Sequence, residues 1–226
     1  MLTKLFDNTN PSSLANRFRR KRFKLFLDII KDIPKPVNIL DAGGTESFWK
    51  MMKLTDPGEV KVTIINIENA VTTLPNFSYI KADARSLTMF SNNQFDIVFS
   101  NSVIEHVGGY DDQQKMAQEI MRVGKRFFVQ TPNYYFPFEP HFMFPLFQFF
   151  PSGIKIFLLT KFNMGWFKKC STKDEAKSII SSIKLLQKKD LKKLFPKAKI
   201  YNEYFFFLKK SFIIYGKTLK YLLILK

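Results

Sequence analysis

A three-layer α/β/α domain around a mostly parallel sheet is the fold that this 226-residue sequence predicts. Two observations carry the prediction. Short runs rich in β-branched and aromatic residues alternate with helical patterns or long connections, as a parallel sheet covered on both faces requires. Four of those runs end in glycine or in polar residues, Asp41-Ala-Gly-Gly, Glu68, Asp83 and Asn101. In an open α/β sheet, ligands bind beyond the carboxyl ends of the strands, so these endings are the first candidates for a site.

The elements follow in order. Residues 14–32 read as an amphipathic helix, with Phe18, Arg22, Leu25 and Ile29 at helical spacing, and Pro34 and Pro36 stop it. VNIL (37–40) is a short buried strand leading into the Asp-Ala-Gly-Gly turn. A helix is expected around 46–54, then a turn at Asp56-Pro57-Gly58 and a strand over 60–67. Further strands are expected at 77–82, 95–100 and 126–130, with a helix over 112–123 before the last of these. Beyond Thr131 the rhythm breaks. Residues 133–170 hold many aromatics, four prolines and few charges, which predicts an inserted lid whose rings form mostly a satellite core. Helices near 172–186 and 188–195, and strands over 199–207 and 210–216, complete the expected domain, and YLLILK closes it as an apolar tail. The organisation expected is one domain: an N-terminal helix in 1–36, a ligand-binding half in 37–133, the insertion in 134–171 and closing elements in 172–226.

Composition excludes several classes. The single cysteine, Cys170, cannot form an internal disulfide, and no apolar run opens the sequence, so a reducing cytoplasmic setting is expected. The longest uncharged stretch, 140–154, has 15 residues and three prolines, short of the ~20 apolar residues that span a bilayer. Net charge is +17, unevenly spread. Residues 37–133 carry nine basic against eleven acidic side chains, whereas 134–226 carry eighteen against five and hold 15 of the 26 Phe. The excess therefore belongs to the second half and to the flank 1–36, which carries nine basic against three acidic side chains. There Lys interleaved with Phe suits an anionic, partly apolar surface such as a membrane.

Each strand ending has a chemistry. A glycine pair lets backbone approach a ligand closely. An acid after the second strand suits a ribose diol, and an Asp after the third suits an exocyclic amine. The loop cannot be written as Gly-x-Gly-x-x-Gly, which argues against a nicotinamide enzyme. In this order the segments Asn38-Ile-Leu-Asp-Ala-Gly-Gly, Glu68, Asp83-Ala84 and Phe95-Asp-Ile-Val-Phe-Ser-Asn resemble the motifs of the class I S-adenosylmethionine-dependent methyltransferases. Ser100-Asn-Ser-Val-Ile-Glu-His-Val, Gln130-Thr-Pro-Asn and Glu139-Pro-His are similar to a bacterial subgroup of small methyltransferases. The resemblance implies a Rossmann-like sheet of seven strands, the last antiparallel. It implies S-adenosylmethionine held by Asp41, Gly43, Gly44, Glu68, Asp83, Ala84 and Asn101. Thr45 and Ser47 replace the second and third glycines of the family pattern.

The two histidines of the chain, His106 and His141, follow the fourth and fifth strands and are the candidates for a general base or acceptor-orienting group. Glu105 beside them makes an imidazole–carboxylate set of the kind that suits a divalent ion, although no metal is assigned. Arg19, Arg20 and Arg22 are expected on a solvated basic face, the alternative being contact with the methionine carboxylate of the cofactor. The function expected is methyl transfer to a small or lipid-linked acceptor, at oxygen, in the cytoplasm or at the inner membrane surface. Its alternatives are an RNA methyltransferase, favoured by the charge, and a non-catalytic membrane-surface protein on a decayed scaffold. Nucleic acid is the less favoured partner, because no RNA-binding module is recognisable.

Overall fold

A computed structural model describes residues 12–218. The expected apolar tail at 221–226 lies outside the described residues. Helix α1 spans Leu14–Ile30, opened by Ser13, whose hydroxyl accepts from the Asn16 amide at 3.2 Å. It ends two residues earlier than periodicity suggests. Strands β1 (Val37–Ala42), β2 (Val60–Asn66), β3 (Phe77–Lys81), β4 (Phe95–Asn101) and β5 (Gly124–Pro132) pair in parallel. β8 (Lys199–Phe205) and β9 (Leu208–Lys217) form a hairpin, and β9 adds antiparallel to β5. The sheet order is β3-β2-β1-β4-β5-β9-β8, seven strands with the last one in sequence antiparallel, as the resemblance implied.

The order reverses between β1 and β4, which are hydrogen-bonded neighbours. At such a switch point the loops after the two strands part and leave a crevice. Register then sets what lines it. Asp41 faces Ile64 on one side and Phe99 on the other, and Asn101 lies beside Gln130.

Both sheet faces are covered. Successive strand residues point to opposite sides, so Ile39 joins one core and Leu40 the other. Phe23, Phe26 and Ile30 of α1 and Trp49 of α2 (Glu46–Met52) pack on Ile39, Ile64, Phe99 and Phe128. Phe26 meets Trp49, Phe99 and Phe128 edge-on at centroid distances of 5.0–6.0 Å. Truncating so enclosed a ring costs about 3–5 kcal/mol. On the other face, α3 (Tyr110–Val123) and α6 (Lys188–Leu194) cover Leu40, Val98, Phe127 and Ile214.

Residues 133–187 lie outside this frame. They carry a two-residue ladder, β6 (Phe138–Glu139) with β7 (Phe144–Pro145), then α4 (Ser152–Lys161) and α5 (Lys173–Ser181). Phe142, Phe147, Leu159, Met164, Cys170 and Ala176 form a third apolar cluster here. Helix α4 was not foreseen, since SGIKIFLLTK is too uniformly apolar to display a helical period. The helix expected over 172–186 stops at Ser181, and Leu186 runs instead as a bridge beside Asn133. One expectation is corrected outright: Arg22 is 8% exposed, not part of a solvated face.

Candidate active site

The turn after β1 is built by contact. Gly43 has φ +84°, and a Cβ there would lie 2.6 Å from Val103 Cγ2. At Gly44 a Cβ would fall 1.8 Å from Asp41 Oδ2, so the carboxylate fills the space a side chain would need. Asp41 itself is buried inside β1. Its Oδ2 accepts from the Trp49 indole at 2.7 Å, and its Oδ1 has no partner. Burial raises its pKa to about 7 against the opposing pull of the indole hydrogen bond. Thr45 and Ser47 are exposed and bonded to each other at 2.9 Å, and both line a cavity of about 490 Å³ with Asp41, Gly44 and Asn101. The departures from the family glycines therefore border the cavity without filling it.

A second cavity, about 420 Å³, opens on the other side of Gly43 and is lined by Asn66, Ile67, Asp83 and Ala84. Asp83 is gripped by Arg85, whose Nη2 donates to Oδ2 at 2.6 Å, and this pairing holds its pKa below the usual carboxylate range. Arg85 also donates to the Val107 carbonyl at 3.1 Å, joining the loops after β3 and β4. Glu68 is not brought in. It is exposed and outside the lining, and its backbone carbonyl accepts from the Tyr79 hydroxyl. Asn66, two residues earlier, stands at the cavity instead.

A third cavity, about 350 Å³, adjoins both, because Asn101 and Arg19 also line the first and Ser102 and His106 the second. It holds both histidines. Their rings stand perpendicular with centroids 4.8 Å apart. His141 Nδ1 lies 2.7 Å from Glu139 Oε1, while Glu139 Oε2 accepts from the His141 and Phe142 amides. Burial pulls the His141 pKa down, but the hydrogen bond and charge of Glu139, aided by Glu105, outweigh it and raise the net value. His106 goes the other way: desolvation first, then the neighbouring His141, lower it to about 4. Glu105 is 0% exposed. Its Oε2 accepts from Thr131 Oγ1 at 3.0 Å and its Oε1 has no partner. Burial lifts its pKa to about 7. Ligand atoms of Glu105, His106 and His141 all lie within 4.8 Å of one another, a set able to converge on a divalent ion.

Behind the cavity runs a polar chain that the sequence did not announce. Arg22 Nη1 donates to Asn101 Oδ1 at 2.9 Å, and its Nε lies 3.3 Å from Glu203 Oε1. Gln130 Oε1 accepts from Ser102 Oγ at 2.8 Å, and Ser102 is held at φ +57°. Trp166 and Lys210 complete the wall from distant parts of the chain, with no local signal in their own segments. A further cavity, about 840 Å³ and bordered by Phe157, Lys161 and Cys170, lies away from the strand ends, and among the described residues neither histidine nor carboxylate lines it.

Seven strands in this order, with a glycine turn at the switch point and polar strand ends, make the Rossmann-like fold of class I methyltransferases. Residues 44–126 match the family model described as a methyltransferase domain. Over 66 residues it is 35% identical to an uncharacterized protein of Mycobacterium tuberculosis, recorded in strains CDC 1551 and H37Rv. That segment is 29% of this chain and 22% of the relative, so the match spans about a fifth of the curated relatives' length. Among solved structures, the chain resembles a CurJ carbon methyltransferase (TM-score 0.58, 12% identity, 96% of this chain and 57% of that one). It resembles a protein of Pyrococcus horikoshii OT3 with TM-score 0.54 and 15% identity over 94% of this chain and 98% of that one. The N-terminal domain of EvdMO1, crystallised with SAH and D-fucose, gives TM-score 0.54 and 13% identity over 94% and 84%. At these identities the structural likeness establishes the fold.

Proposed function

We propose that the protein transfers a methyl group from S-adenosylmethionine to an oxygen atom of a small or lipid-linked acceptor. The observation that supports it is the junction at Asn101 and Ser102, where cavities bordered by Gly43, Gly44 and Asp83 meet one holding both histidines. S-adenosylmethionine supplies, when bound, a methyl carbon made electrophilic by its sulfonium. The residues present fit it: the left-handed Gly43 turn admits a ligand beside backbone, and the buried, unpartnered Asp41 Oδ1 awaits a donor. Gly43, Asp83 and Ala84 border the nucleoside side. Asp41, Gly44, Arg19 and Asn101 border the amino-acid side, whereas Glu68 lies outside both linings.

The chain's own work is alignment and proton handling. His106, held neutral, is the base that takes the acceptor hydroxyl proton on a ring nitrogen. His141, held toward its protonated form by Glu139, orients the acceptor oxygen. Phe136, Phe138 and Trp166 exclude water and face the body of the acceptor. Exposed Phe157, Phe162, Phe206 and Phe207 among the lysines of residues 134–226 support peripheral contact with an anionic membrane at the cytoplasmic face. Among the described residues no helix is long and apolar enough to cross a membrane.

Calorimetry with S-adenosylmethionine is the test. Saturable heat is expected, and its complete absence would transfer the assignment to a non-catalytic scaffold.

A further inference from the structure

The charge lining the histidine cavity is one-sided. Arg19, Arg22 and Lys210 border it, and among the described residues no Asp or Glu does. The acid nearest these cations, Glu203, is 2% exposed and already shared. Its Oε2 accepts from Ser211 Oγ at 2.7 Å and lies 3.4 Å from Lys210 Nζ, while its Oε1 lies 3.3 Å from Arg22 Nε. Arg22 and Lys210 thus share Glu203, and Arg22 also feels a second carboxylate, Glu105. Arg22 is further committed to Asn101. Among the described residues, Lys210 has part of Glu203 and the face of Phe18, whose ring centroid is 4.3 Å from Nζ. Its side chain is 19% exposed, so water screens it poorly. Burial, then repulsion from Arg22, pushes its pKa down to about 8, the direction expected of a cation lacking a full counter-charge.

A cofactor carboxylate would offset one of the surplus charges at most, and Arg19, which borders both the cofactor and histidine cavities, is placed for it. Lys210 borders only the histidine cavity among those described, and the charge that the shared Glu203 leaves unmet faces that cavity. Phe136, Phe138, Pro140 and Trp166 supply apolar faces on the same wall. We infer that the acceptor is an anion: a ring or chain bearing a carboxylate or phosphate, seated with its charge on Lys210 and its body against the aromatic wall. This rests on the methyltransferase reading for the word acceptor, although the anion site itself does not.

The experiment is calorimetry on the full chain saturated with S-adenosylhomocysteine, titrated with benzoate, phenyl phosphate and the neutral analogue benzamide. At least one anion should bind about tenfold or more tightly than benzamide, the scale of one charge-assisted hydrogen bond. Preference for benzoate or for phenyl phosphate identifies the anion. Lys210→Met should reduce the favoured anion to the level of benzamide, and Lys210→Arg should retain it. Equal binding of all three probes, binding of none, or undiminished anion binding in Lys210→Met overturns the inference. If Lys210→Met does not fold by circular dichroism, the comparison of probes on the native chain decides alone. Heat from S-adenosylhomocysteine without anion preference removes this inference and leaves the methyltransferase reading. Anion preference on a chain that gives no such heat does the reverse.

Discussion

The imidazoles of His106 and His141 stand perpendicular with centroids 4.8 Å apart, although 35 positions separate them in sequence. A 3₁₀ turn over Ile104–His106 presents one, and Glu139 fixes the other. Replacing either with Ala is expected to lower turnover by about 10²–10⁴-fold, the usual worth of a general base, while calorimetric affinity for S-adenosylmethionine holds. Undiminished turnover in both variants would remove the base assignment.

Glu139→Gln separates the histidine roles. The change keeps an acceptor for His141 Nδ1 but removes the charge that raises its pKa, so the NMR-detected titration of His141 should move to lower pH. His106, already lowered to about 4, should stay neutral above pH 5 in both proteins. A His141 titration that does not move would show that Glu139 is not what sets it.

Gly44→Ala should collide with the Asp41 carboxylate, since its Cβ would lie 1.8 Å from Oδ2. The strand end must shift, at a cost of about 1–3 kcal/mol. Chemical denaturation should record that loss together with weakened cofactor binding. A variant as stable as the native chain would mean that Asp41 can turn aside.

Asp41 gives a pH signature. Its folded pKa, about 7, exceeds the unfolded value of 3.8, so the native state holds this proton more tightly. That contribution is complete below about pH 4 and lost as pH rises through 7. Glu105, raised from 4.5 to about 7, acts in the same sense. Asp41→Asn, which keeps an acceptor for Trp49, should therefore raise Tm at pH 8 by about 2–4 °C for each 1 kcal/mol relieved, with a smaller gain at pH 5. An equal gain at both pH values would contradict the buried, reluctant carboxylate.

The Glu105, His106 and His141 set gives a direct test of metal dependence. With His106 acting as the base, turnover should survive dialysis against EDTA. Loss of turnover restored by Mn²⁺ would reassign the three side chains as ligands.

Much of this molecule was legible in its sequence. Alternating apolar runs mark a covered parallel sheet because burial on both faces needs nothing but apolar side chains of the right period. Gly43 and Gly44 could be read as a turn of close approach, because only glycine tolerates φ +84° at the first and the Asp41 carboxylate beside the second. The placement of His106 and His141 beyond strand ends also followed from chain order alone. Other features needed the tertiary structure. Arg22 occupies an apolar helical face, yet whether an arginine there meets water or Glu203 depends on a hairpin that begins 177 positions later in sequence. Glu68 matched a family position, but the chain leaves β2 at Asn66 and carries it to the surface. Lys210 and Trp166 reach the cavity wall from separate segments. Local periodicity reports which side chains must leave water. Which polar groups they leave together, and with what surplus charge, is decided by contacts between residues far apart in the chain.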